Sequence, residues 1–298
     1  MVKKARREYL AYFFEEFEYP SEAVDSLMNA YDRLAASEEA WQKLTKLINA
    51  YEKDILCDWN NMISETKLIS EIIGVHEYEG ALLILILLSQ SLKNYYKRFG
   101  VDESIWKTSI FDIKYKMIKC KILYGVWGIF LANWFSGFFQ LTRVGFEKLQ
   151  FEVIDFGRTY VIDGLLLEPS SKVINIHIPR TGTPLDKEGR LIAYSKAKEY
   201  FKEYFPKGKT PFVCHSWLLF GKNKEILSPD SNLCSFIDDF RIIEEEYYPD
   251  YSQTWRIFDT LDVNDIEKLP EKTSLQRGYK ELMRRGEKTG AGYGIFVL

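Results

Sequence analysis

The hydrophobic period of this chain changes once, near residue 141, and that change constrains the fold more than any other feature. Before it, apolar residues recur at three- and four-residue steps. Tyr9, Tyr12, Phe13 and Phe17 line one helix face, and Leu44, Leu47 and Tyr51 line another. Ala81 to Leu88 is an unbroken aliphatic run, far short of the roughly 20 residues a membrane span takes. It is expected to be the inside of a buried helix, with Glu77 to Phe99 as its full extent and Gly100 as its stop. Tyr124, Trp127, Phe130, Trp134 and Phe138 continue the helical pattern in a last apolar segment.

From Arg143 the step becomes two. Strands are expected from Phe146 through Val153 to Asp155, over Tyr160–Leu166, over Val173–Ile178 and over Phe212–Leu219. An amphipathic helix separates the last two, from about Asp186 to Tyr204. Further strands are expected at Arg241–Tyr247, Thr254–Asp259 and Tyr293–Leu298, with a helix starting at Thr273 or Ser274 and ending near Gly286. The expected architecture is therefore α+β in two domains. Residues 1–141 form an all-α helical bundle, and residues 142–298 form a mixed α/β sheet domain.

Composition removes several function classes. The net charge is −3, without the basic excess that a nucleic-acid partner's phosphates call for. Cys57, Cys120, Cys214 and Cys234 form no C-x-x-C pair, and His76, His177 and His215 are scattered, so no metal site is expected. The basic N-terminus is followed by glutamates, not by an apolar core, so neither a signal peptide nor a membrane partner is expected and the localisation reads as cytoplasmic. Aromatic residues are 15% of the chain, which implies a core with large buried rings or an aromatic-lined pocket.

Candidate chemistry gathers in the strand–turn–helix–strand stretch 173–219. A helix between two strands of one sheet is a βαβ unit with parallel strands, and ligands bind beyond the carboxyl ends of such strands. His177 and His215 lie at those ends. Counting by two puts Asn175 with His177 on one face, His215 with Trp217, and Cys214 with Ser216 opposite. Imidazole titrates near neutral pH, so either histidine suits a general base; the competing reading is a half-buried histidine bonded to a carbonyl. Adjacent strand residues face opposite ways, which excludes a local Cys–His or Ser–His pair but leaves Ser216 or Cys214 with His177 open. Glu147 and Glu152 are placed to orient a histidine or to be solvated. The turn Arg180-Thr181-Gly182-Thr183-Pro184 feeds a helix N-terminus, where backbone N–H groups favour an anion; it also reads as a plain turn with proline at the first helical position.

Phe146–Glu152, His177–Leu185, Cys214–Leu219, Ser231-Asn232 with Phe236 and Phe240, Thr273–Arg277 and Gly290–Gly292 occur in this order. The series resembles a bacterial family of acyltransferase domain-containing proteins, which pair an N-acyltransferase N-terminal helical domain with a GNAT-like C-terminal domain. The resemblance implies a GNAT-like sheet whose two central strands splay apart to admit the pantetheine arm of acyl-CoA, acetyl-CoA foremost. It implies a cofactor-binding turn at Arg180, Thr181, Gly182 and Thr183, although the usual R/Q-x-x-G-x-G/A pattern is shortened here by its second glycine. It further implies transfer of an acyl group to a small-molecule amine without a metal; from their positions at the strand ends, and not from the resemblance, His177 or His215 is expected as base, with Ser216 or Tyr293 protonating the leaving thiolate. Glu152, Asn175 and Trp217 would line the substrate pocket. Two other readings stand beside it: a non-catalytic ligand-binding protein on the same fold, and a hydrolase using Cys214 or Ser216.

Overall fold

The computed structural model describes residues 1–182 and 184–298. They divide into two compact units, Met1–Gly145 and Phe146–Leu298.

The first unit is helical. Its long helices are α1 (Val2–Glu16), α2 (Ser21–Ala36), α3 (Glu38–Lys53), α4 (Trp59–Ile73), α5 (Glu77–Arg98), α6 (Glu103–Ile110) and α7 (Asp112–Tyr124), with a short α8 (Ser136–Phe139) near its end. Four of these helices start on a side-chain cap. Ser37, Asp58, His76 and Asp102 accept backbone N–H bonds at the starts of α3, α4, α5 and α6. The aliphatic run Leu82–Leu88 is at most 2% exposed, so α5 is apolar on every side. It is accordingly the axis of the bundle, packed by α1, α2, α3, α4 and α6. Burying each such side chain contributes about 1.5–3 kcal/mol. Three tyrosines extend this core with their hydroxyls bonded: Tyr9 to Ser89 at 2.7 Å, Tyr51 to the Phe139 carbonyl at 2.7 Å and Tyr95 to the Tyr51 carbonyl at 2.9 Å. Among the described residues no single helix is long and apolar enough to cross a membrane.

The second unit is built on a sheet. Its strands are β2 (Leu149–Asp155), β3 (Tyr160–Ile162), β4 (Leu165–Leu167), β5 (Lys172–His177), β6 (Pro211–Ser216), β7 (Arg241–Tyr247) and β8 (Gly290–Val297), and β1 (Arg143–Phe146) runs through the division between the units. Six form one mixed sheet in the order β1-β2-β5-β6-β8-β7, while β3 and β4 pair separately. The helices of this unit are α9 (Lys187–Tyr200), α10 (Lys222–Ile226), α11 (Asn232–Ile237), α12 (Trp255–Phe258) and α13 (Ser274–Arg284). Helix α9 joins the parallel strands β5 and β6, which is the expected βαβ unit. Rings pack on one sheet face, where Tyr194 of α9 meets Phe151, Phe212 and Phe296. On the opposite face Ile162 and Leu167 of the hairpin pack with Val173, Val213 and Ile295.

Several expected elements are different. The apolar stretch after Tyr124 is not one continuous helix: helical structure resumes only at the 3₁₀ turn Ala132–Phe135 and α8. Gly125 takes φ +73° and ends α7, and Gly128 passes so close to Tyr78 that a Cβ there would lie 2.5 Å from its carbonyl carbon. The expected first strand is two strands, broken where Glu147 adopts φ +51°. Tyr160–Leu166 is a hairpin, because Asp163 and Gly164 both take positive φ in its two-residue turn. The strand expected at Thr254–Asp259 is a helical turn followed by α12, started by Asp250 accepting from the Ser252 N–H at 2.8 Å. β6 stops at Ser216, whose Oγ accepts from the Leu218 N–H at 3.2 Å and turns Trp217–Leu219 into a 3₁₀ turn.

Candidate functional site

The opening lies between the two parallel strands. β5 and β6 are in register only at Ile174↔Phe212 and Asn175↔Val213. Beyond that point each strand keeps its outer neighbour. Gln150 of β2 still pairs with His177, and Gly292 of β8 still pairs with Ser216. The sheet therefore parts in the middle, and the inner edges of Ile176–His177 and Cys214–Ser216 carry backbone donors and acceptors outside the β5–β6 ladder. His177 and His215 stand on either side of this gap. Register partners share a face, so Asn175 with Val213 sets both histidines, two residues on, on the hairpin-bearing face.

One side of the gap holds a compact polar group. Glu152 pairs across strands with Asn175, which brings its carboxylate to the imidazole of His177. His177 Nε2 lies 2.6 Å from Glu152 Oε1, and Asn175 Nδ2 donates to the same oxygen at 3.4 Å. Asn175 Nδ2 and His177 Nε2 are 3.2 Å apart. An ionised carboxylate only accepts, so the short contact puts the proton of the neutral imidazole on Nε2 and its lone pair on Nδ1. The side chains of His177 and Glu152 are 22% and 17% exposed, enough shielding to strengthen the contact and enough access for a ligand.

The other side is looser. His215 is half exposed, 3.4 Å from Glu246 Oε2, and its ring centroid is 6.0 Å from that of Tyr293. Tyr293 also carries the Arg158 guanidinium 4.3 Å from its ring centroid. Burial holds its phenol above the ordinary tyrosine range, so it keeps its proton at neutral pH. Ser216 has its oxygen engaged as the cap of the 3₁₀ turn. Cys214 is fully buried on the ring-packed face, and desolvation raises its thiol far above the ordinary value. A thiol that stays protonated is a poor nucleophile, which argues against the hydrolase reading. Trp217, expected beside His215, instead packs edge-on against Tyr279 at 6.2 Å, because the Ser216 cap ends the strand before it. Glu147 bonds Lys196 at 2.6 Å, apart from either histidine.

The turn before α9 is partly self-satisfied. Arg180 bonds Asp259 of the α12 terminus, Gly182 has φ +72°, and Thr183 lies outside the described residues. Asp186 caps α9 through the Gly189 N–H at 2.8 Å, and Lys148 bonds both its carboxylate and the Pro184 carbonyl at 2.8 Å. Lys148 and that N–H together hold the Asp186 carboxyl down at about 2. Arg190, fully buried, ties the helix start to α11 through Asp239 and the Leu185 and Ser235 carbonyls. The turn is thus anchored, with the cations Lys148 and Arg180 at its edge. Sequence reasoning missed Lys148, Asp186 as the cap, and Gln150 on β2; of these only Asp186, directly before the helical pattern, carried a signal.

This geometry sits on a known fold. A family model described as GNAT-like C-terminal domain matches residues 141–296, and one described as N-acyltransferase N-terminal domain matches residues 8–141. Among solved structures the chain is similar to an acyltransferase in complex with decanoyl-CoA and teicoplanin: 15% identity, TM-score 0.72, covering 97% of this chain and 87% of that one. It is similar to an acyltransferase mutant in complex with octanoyl-CoA, at 14% identity and TM-score 0.72, covering 98% and 88%. It is also similar to an acyltransferase in complex with CoA and 10C-teicoplanin, at 15% identity and TM-score 0.67, covering 98% of both chains. At such identities the likeness is one of fold. No curated protein matches the chain.

Proposed function

We propose a function on one premise: the chain belongs to the acyltransferase family that joins an N-acyltransferase N-terminal domain to a GNAT-like C-terminal domain. Its function is transfer of an acyl group from a CoA thioester to the amine of a small molecule. The observation that carries this reading is the Glu152–His177–Asn175 group beside the parted strands. A thioester reaching through the gap would meet the unladdered backbone N–H groups of β5 and β6, which suit a developing oxyanion. His177 takes one proton from the attacking amine on Nδ1, and Glu152 stabilises the imidazolium that results. Tyr293 keeps its proton and is placed on the His215 side of the gap, where it serves the departing thiolate. Lys148, Arg180 and Gly182 would meet the diphosphate, with Arg180 exchanging Asp259 for it.

A second reading, a binding protein without catalysis, draws on the same turn. Its arginine already has a carboxylate partner and its helix start is already capped by Asp186. The deciding experiment is calorimetric titration with acetyl-CoA, octanoyl-CoA and decanoyl-CoA, followed by an amine screen with thiol release as readout. Acetyl-CoA is the first donor tried; the longer chains are those held by the structural neighbours. Micromolar binding with turnover that His177→Ala abolishes supports acyl transfer. Binding without turnover of any amine counts against transfer to an amine, and no binding of any acyl-CoA removes acyl transfer and leaves the second reading.

A further inference from the structure

Arg158 covers the face of the Tyr293 ring. It stands in the loop between β2 and β3, whose backbone is fastened just before it. The Phe156 N–H donates to the Ser171 carbonyl at 2.9 Å, and the Gly157 N–H donates to the Pro169 carbonyl at 2.8 Å. Gly157 takes φ +75°, a turn that glycine makes at no steric cost, directly before Arg158. The guanidinium lies 4.3 Å from the Tyr293 ring centroid, and its Nη1 donates to Glu244 Oε2. Glu244 of β7 and His215 of β6 are the register partners of Tyr293, so the three side chains share the hairpin-bearing face. The arginine thus reaches from the carboxylate on one side of Tyr293 across its ring, and the imidazole stands on the other side. The Arg158 and Glu244 side chains are 39% and 57% exposed, and a pair that open contributes little to stability. Its effect falls on the ring. A cation is attracted to the negative face of a phenol, and more strongly once the phenol has lost its proton.

We propose that Arg158 is a positioning residue for Tyr293: clamped by Glu244, its guanidinium holds the ring in place and stabilises the phenolate left when Tyr293 protonates the departing thiolate. This rests on the acyl-transfer reading above. As the tetrahedral adduct collapses, the C–S bond breaks and its electron pair goes to sulfur. Sulfur takes the proton from Tyr293 Oη, which leaves the amide, the CoA thiol and a phenolate. The phenolate then takes a proton from water, and His177 gives to water the one it took from the amine. Negative charge on Tyr293 exists only between those steps. A cation fixed beside the ring beforehand therefore acts in the transition state more than in the ground state. The titratable and charged groups around the phenol are Arg158 from the loop, His215 and Cys214 from β6, and Glu244 from β7. Burial holds the phenol up, and Arg158 is the group that acts against it.

The test uses Arg158→Gln and Arg158→Lys in the full chain, each also combined with Tyr293→Phe. Two quantities are read. The first is kcat for thiol release. The second is the titration midpoint of Tyr293 by fluorine NMR of protein carrying 3-fluorotyrosine, with the resonance assigned by its loss in Tyr293→Phe. Arg158→Gln is expected to lower kcat by about 3- to 30-fold and to move the midpoint to higher pH. Arg158→Lys, which keeps the charge, should lie nearer wild type in both. With Tyr293→Phe already present, Arg158→Gln should cost less than about twofold more. An unmoved midpoint, or the same loss of kcat with and without the Tyr293 hydroxyl, overturns the proposal and makes Arg158 structural. If the wild type transfers no acyl group, the acyltransferase reading fails and the catalytic use of Arg158 fails with it. The titration still decides the pairing in that case: a raised midpoint upholds it and an unmoved one overturns it.

Discussion

Glu152→Gln isolates the charge at the centre of the proposed mechanism. The substitution is isosteric, and the amide oxygen still accepts from the Nε2–H of His177 and from Asn175, so the imidazole keeps its place and its tautomer. What is lost is the negative charge 2.6 Å from the nitrogen that must become part of an imidazolium. A hydrogen bond to a charged group contributes about 1.5–3 kcal/mol. At 1.36 kcal/mol per decade the expected fall in kcat is roughly 10- to 150-fold. His177→Ala removes the base itself and is expected to cost about 10²- to 10⁴-fold. Because Glu152 acts only through His177, the double variant should be no slower than His177→Ala within about threefold. The assay is steady-state thiol release at saturating acyl-CoA. Glu152→Gln within twofold of wild type, or a double variant that multiplies the two losses, would refute the pairing as a catalytic unit.

Three further outcomes are expected. Cys214→Ala should leave transfer within about twofold of wild type, and native protein should resist iodoacetamide at Cys214 as judged by peptide mass spectrometry, since the thiol is buried and raised. Gly292→Ala should destabilise by about 1–3 kcal/mol in urea denaturation, because a Cβ there would stand 2.3 Å from the Leu219 carbonyl oxygen. Asp186→Asn should lower the melting temperature at neutral pH. The Asp186 carboxyl is depressed to about 2, so its contribution is present above the ordinary aspartate value near ~3.9 and is lost as pH falls through about 2. The gap between wild type and variant should therefore close over that acidic window; a gap independent of pH would count against the cap.

The fold was legible where periodicity carried it. The switch from steps of three and four to steps of two separates helices from sheet, and the unbroken run Leu82–Leu88 marks the one helix that is buried all round. The misreadings share a cause. Tyr124–Phe138 has helical spacing, yet Gly125 at positive φ and the close pass of Gly128 over Tyr78 bend the chain. Tyr160–Leu166 has strand spacing, yet two positive-φ residues fold it into a hairpin. Period reports which residues face inward; it does not report where a backbone turn lets the chain reverse. Gly290, Gly292 and Gly294 illustrate the complement. Their spacing reads as a strand with one bare face, and the reason is packing: Phe220, Leu219 and Phe240 crowd the space a side chain would need.

The site was legible only for residues whose chemistry announces itself. A histidine at a strand end draws attention, and Glu152 is drawn in as a carboxylate on a nearby strand. That the two touch depends on register: β2 must run antiparallel to β5 with Glu152 opposite Asn175, and a slip of one residue would send the carboxylate to the other face. The same register places Gln150 opposite His177. In the sequence Leu149-Gln150-Phe151-Glu152 the glutamine reads as the solvated half of an alternating strand, because polarity is visible there and burial is not. Only the three-dimensional structure turns it into a buried amide without a partner among the described residues. The charged pair and the orphan amide therefore have one origin. A single strand register brings to His177 the carboxylate that would stabilise its charge and sets the buried amide of Gln150 opposite it.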